Sequence, residues 1–109
     1  MSRGNPRIIH LDILCYREED YFVAHCLQMD LVTTANTVDE AFLDMKELIM
    51  TQIEFAAENN NMENIFKPAP QEIWRRLAKA EPVNDDQIET LELPILLPEQ
   101  IYQVQRLCA

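Results

Sequence analysis

Between Arg7 and Tyr16 apolar and polar positions alternate, with Ile9, Leu11, Ile13 and Cys15 on one side and His10 and Asp12 on the other. A period of two is the pattern of a half-buried strand. The charged run Arg17-Glu18-Glu19-Asp20 interrupts it and reads as a hairpin turn. Tyr21–Leu27 (YFVAHCL) and Leu31–Ala35 (LVTTA) follow, short and rich in aromatic and β-branched residues, and both read as strands. Connections this short join antiparallel neighbours, so the first 35 residues predict a meander.

At Thr37 the period changes. Thr37 and Glu40 stand at the spacing of a capping box, in which the threonine hydroxyl accepts from the amide of residue 40. Val38, Ala41, Phe42, Met45, Leu48, Ile49, Ile53 and Ala56 then recur at helical spacing to about Glu58. They form one apolar stripe able to lie across a sheet. Asp39, Glu40, Asp44, Glu47, Glu54 and Glu58 are left for solvent. Asn59-Asn60-Asn61 closes the helix, because asparagine tolerates the left-handed conformation that follows a helix end.

The stretch 62–70 reads as irregular, with Ile65 and Phe66 anchoring it and Pro70 in the first turn of a short helix. That helix carries an apolar edge (Ile73, Trp74, Leu77) and the one dense basic cluster, Arg75, Arg76 and Lys79, expected on its wet side; Pro82 is expected to end it. Beyond the acidic linker Asn84-Asp85-Asp86, residues 89–95 alternate as an edge strand interrupted by Pro94. Pro98 is expected to start a last helix carrying Ile101, Val104 and Leu107. The sum is an α+β fold: an antiparallel three- to four-stranded sheet packed on one long helix, then a short helix, a strand and a short C-terminal helix. Residues 7–82 form the sheet-and-helix domain, and 83–109 a strand–helix extension docking on it or on a partner subunit.

Composition narrows the function. A chain of 109 residues fits one domain. The single glycine, Gly4, excludes phosphate-cradling loops, which need several. A formal net charge of −10 opposes nucleic-acid backbone and favours a basic protein partner. No apolar run approaches the ~20 residues of a membrane span, and no signal peptide follows Arg3 and Arg7, so a cytoplasmic protein is expected. Three widely spaced cysteines, Cys15, Cys26 and Cys108, without a C-x-x-C, imply reduced thiols and neither a disulfide framework nor a zinc site.

The segment 21–53 (YFVAHCLQMDLVTTANTVDEAFLDMKELIMTQI) resembles the HicB antitoxin-like family: an aromatic-x-V-A strand, a short loop, the Asn36-Thr37-Val38-Asp39-Glu40-Ala41 strand-to-helix junction, and an amphipathic helix. The resemblance implies a partial RNase H-like fold of β-β-β-α-β order, used there as a toxin-neutralising domain. It differs at Cys26–Asp30 and at Asn36, where family members commonly carry proline and glycine. Complete antitoxins append a DNA-binding domain, whereas residues 91–109 only faintly resemble the start of a ribbon-helix-helix, so direct DNA binding is not expected. HicA-type toxins are small basic ribonucleases, and the residues picked out to meet one are Asp39, Asp44, Glu47 and Glu54, by charge complementarity. Without such a toxin, the alternative is a stand-alone homo-oligomeric scaffold or ligand-binding protein.

Catalysis is not expected, nor a cofactor. Asp12, Asp20 and Asp30 are too scattered along the chain to predict the carboxylate cluster a magnesium nuclease requires. His10 and His25 fall on strands whose antiparallel pairing can bring them to one face, but alternation puts His25 and Cys26 on opposite faces, which rules out a nucleophile pair. Both histidines are expected on the less buried side of the sheet. Unpaired sheet edges lead to the expectation of a homodimer or homotetramer.

Overall fold

The structure, a computed structural model, describes residues 7–82, 88–91 and 100–108. The alternation from Arg7 onward becomes a twelve-residue strand, β1 (Arg7–Glu18), which turns through Glu19 and Asp20 into β2 (Tyr21–Cys26). Glu19 takes up the left-handed backbone (φ 39°) that tightens this hairpin. β3 (Leu31–Ala35) pairs antiparallel with β2, completing the predicted meander.

Thr37 then caps α1 (Val38–Glu58): its Oγ1 accepts from the amide of Glu40 at 3.1 Å. At the far end Asn60 adopts φ 54°, and the amide of Asn61 returns to the carbonyl of Ala56 at 2.7 Å. The asparagine run therefore closes the helix as its residue type predicts. Ala41, Phe42, Met45, Ile49, Ile53 and Ala56 are buried against one face of the sheet. With Leu11, Ile13, Cys15, Ala24, Cys26, Tyr102 and Val104 they make the main core.

A 3-10 turn at Met62–Asn64 leads to α2 (Gln71–Leu77), whose first turn is bonded to the carbonyl of Pro70. Of the two expected anchors in this stretch Ile65 is buried, whereas Phe66 is exposed. Ile73, Trp74 and Leu77 pack on the opposite face of the sheet, over Leu14, Tyr16, Val23, Leu27 and Leu107. Pro82 does not end this helix, which stops at Leu77. Glu81 and Pro82 instead form the two-residue strand β4. Arg75, Arg76 and Lys79 are all exposed, on the wet side expected of them, and the Arg76 guanidinium also lies 4.3 Å from the ring centre of Tyr16 and 3.8 Å from Glu18, linking α2 to the sheet.

The C-terminal segment departs from its sequence reading. Residues Gln100–Cys108 are not a helix but a nine-residue strand, β6, lying parallel to β1 from Arg7↔Gln100 to Cys15↔Cys108. Its other side pairs antiparallel with β4 and with β5 (Ile88–Thr90). Among the described residues the sheet is thus mixed and six-stranded, in the order β3-β2-β1-β6-β4, with β5 also along β6. Ile101, Val104 and Leu107 misled because their spacing of three suits a helix, yet a strand lined on both faces has no simple alternation. Val104 and Tyr102 face α1, while Leu107 faces α2. The strand expected at 89–95 is seen as β5 at 88–90, and residues 92–95 of that expectation and Pro98 lie outside the described residues. Among the described residues no helix is long and apolar enough to cross a membrane.

Candidate functional site

Which α1 residues face outward follows from the helix pitch. Glu40, Asp44, Glu47, Thr51, Glu54 and Glu58 recur at spacings of three and four, so they line a single stripe on the side away from the buried residues. At 1.5 Å per residue the stripe runs about 27 Å from Glu40 to Glu58. Lys46 is the only base in α1 against six acids, and it lies on the flank, paired with Glu89 of β5. Among the described residues no cation approaches the five carboxylates of the stripe within ion-pair distance.

Of the residues picked out from sequence, Asp44, Glu47 and Glu54 belong to this stripe. Asp39 does not. It stands a quarter-turn round, on the β5–β6 side, where it lines a cleft of about 190 Å³ with Phe42, Lys46, Glu89 and Arg106. The Arg106 guanidinium sits 5.8 Å from the centre of the Phe42 ring across that cleft. The cleft is smaller than the 300 Å³ or so at which pockets begin to enclose a typical small ligand, and both charge signs line it. Glu40 and Glu58, solvent-facing acids of the same helix that are not among the four, complete the stripe. Their signal was the same helical spacing.

The other polar residues are engaged within the fold. Asp12 is clamped by the Gln28 side chain: its Nε2 donates to Asp12 Oδ2 at 2.8 Å, while its Oε1 accepts from the backbone amide of Asp12 at 2.7 Å. The backbone amide of Leu27 donates to the Asp12 carbonyl at 3.0 Å, so the β2–β3 turn is fastened to β1. His25 is not on a wet face. It is 4% exposed, opposite Leu14, on the side of the sheet away from Cys26. Its Nε2 contacts Asp30 Oδ1 at 2.7 Å, and its buried Nδ1 has no partner. His10 pairs with Gln103 of β6, four residues along β1 from the partner of His25, so the two histidines do not meet. Among the described residues no three His, Cys, Asp or Glu side chains converge as metal ligands would.

The thiols are held in their neutral form. Burial pushes both Cys15 and Cys26 up to about 12 from the ordinary 9.0, with neighbouring Cys108 adding to the rise at Cys15. Cys108, half-buried beside Cys15 on the adjoining strand, is also raised by burial. Groups so disfavoured as thiolates are poor nucleophiles.

No family model matches this chain, and neither a known protein of curated function nor a solved structure matches it.

Proposed function

We propose that this chain is a protein-binding module that recognises a basic partner through the acidic face of α1. The carrying observation is the stripe of five carboxylates with no cation among the described residues to neutralise it. Such a surface concentrates negative potential, speeds encounter with a positively charged protein, and repels nucleic acid.

Within that class, the reading is a HicB-like antitoxin module of partial RNase H-like fold that neutralises a small basic HicA-type ribonuclease in the cytoplasm. Two features support it: the junction 36–41 with its capped helix, and the course of the chain through three strands, a long helix and a strand returning beside the first. The module acts by occupying the toxin's RNA-contacting surface rather than by chemistry of its own. A homo-oligomeric scaffold without a toxin partner is the second reading, favoured by the uncovered outer edge of β3.

The test is a ribonuclease assay on a small basic protein encoded beside this chain's gene. Stoichiometric inhibition at low salt, weakened as salt rises, is the expected result. Cleavage undiminished by excess of this chain overturns the antitoxin reading and leaves the scaffold.

A further inference from the structure

β3 forms one edge of the sheet, and its outer backbone groups meet no strand among the described residues. Edges of this kind are normally blunted by lysine, proline or a bulge. Leu31-Val32-Thr33-Thr34-Ala35 has none of these and carries no charge. Val32 is 50% exposed and Thr34 is exposed, both on the sheet face away from α1.

We propose that the chain forms a two-fold dimer by antiparallel pairing of β3 with β3 of a second copy, centred on Thr33. Each Val32 then opposes the Thr34 of the other copy, and the two Thr33 residues face each other, pairings that suit a pleated surface. This register also solves the charge problem of a chain with net charge −10. Asp30 comes opposite Asn36 of the second copy, and the two Asp30 residues lie about 20 Å apart, well beyond the ~8 Å screening length at physiological salt.

The position of α1 points to the same occupant. The helix packs chiefly over β3 and β2, close to this edge. With strands ~4.8 Å apart, a dyad outside β3 places the two helices about 10 Å from each other, the separation at which helices pack. The flank of α1 on that side presents Asp44, Leu48, Gln52 and Phe55, a nearly neutral row; Phe55 is 62% exposed and borders the open groove at the start of β3. Asp44, shared with the edge of the acidic stripe, is its single acid, and Glu40, Glu47, Glu54 and Glu58 remain outside the interface. A second copy therefore covers both the free edge and an otherwise exposed aromatic, leaving those four carboxylates open for a partner.

Sedimentation equilibrium of the full chain, with circular dichroism to verify folding, tests this. The wild type is expected at twice its 12.8 kDa mass at tens of micromolar. V32K/T34K places lysine opposite lysine at both ends of the pairing, and V32E/T34E does the same with glutamate, so each weakens the dimer at least about tenfold. Mixing the two restores a one-to-one heterodimer. Hydrogen exchange on the wild type needs no variant: β3 amides gain protection with concentration while β5 amides do not. A monomeric wild type, a dimer indifferent to both charged variants, or β3 exchange independent of concentration overturns the proposal.

Discussion

Replacing Val104 by alanine probes the least expected part of the fold. Val104 is 1% exposed, opposite Leu11 of β1 and Glu89 of β5, with the apolar face of α1 above it. The substitution removes two buried methyl groups, at about 0.8 kcal/mol each for transfer to water. Incomplete collapse of a site bounded by three elements adds about 1 kcal/mol, giving ~2–3 kcal/mol in all. For a chain of this length that lowers Tm by roughly 10–15 °C. Gln105, the next residue, faces the other side of the sheet and is half-exposed, so Gln105→Ala changes stability by less than about 0.5 kcal/mol. Urea denaturation of both variants, with equal slopes, reads the difference directly. If Val104→Ala also falls within about 0.5 kcal/mol of the wild type, β6 is not a core strand and the pairing with β1 is wrong.

Two further outcomes follow from buried polar groups. Asp30→Gly, which keeps the left-handed backbone at φ 50° available, leaves both ring nitrogens of His25 without a partner and costs about 1–3 kcal/mol. His25→Leu removes the orphaned nitrogen with its ring and costs less than Asp30→Gly; the reverse order in urea denaturation contradicts the burial argument. Cys15 and Cys26, raised to about 12 from 9.0, should react with iodoacetamide at pH 8 roughly a thousandfold more slowly in the folded chain than after denaturation. Because the folded thiols hold their protons more tightly than the unfolded ones, their contribution to stability is complete below pH 9 and is lost as pH rises toward 12. A thermal melt flat from pH 8 to 11 contradicts that linkage.

The sequence was informative wherever one period dominated. β1, the capped helix and its asparagine closure follow from alternation, helical spacing and capping chemistry. Most of the acidic stripe was legible too, because outward positions on a helix are fixed once the buried ones are known. Asp39 lies off the stripe by helix pitch, and its neighbours across the cleft, Lys46, Glu89 and Arg106, depend on which strands α1 covers, a tertiary fact. His25 was misread for a similar reason: α2 and the β2–β3 turn bury one end of the second sheet face, and strand period alone cannot tell a covered end from an open one. β6 was missed because its apolar residues serve both faces of the sheet and the strand it lies along, β1, is at the other end of the chain.

The central claim, recognition of a basic protein by the stripe on α1, is tested most directly by titrating the small basic protein encoded beside this chain's gene against the wild type and against E40Q/D44N/E47Q/E54Q/E58Q, across a series of salt concentrations. Wild-type association that weakens steeply with salt, and a variant that remains folded but associates at least about tenfold more slowly at low salt, is the predicted result. Equal, salt-independent binding of the two, or no binding by the wild type at low salt, contradicts the account.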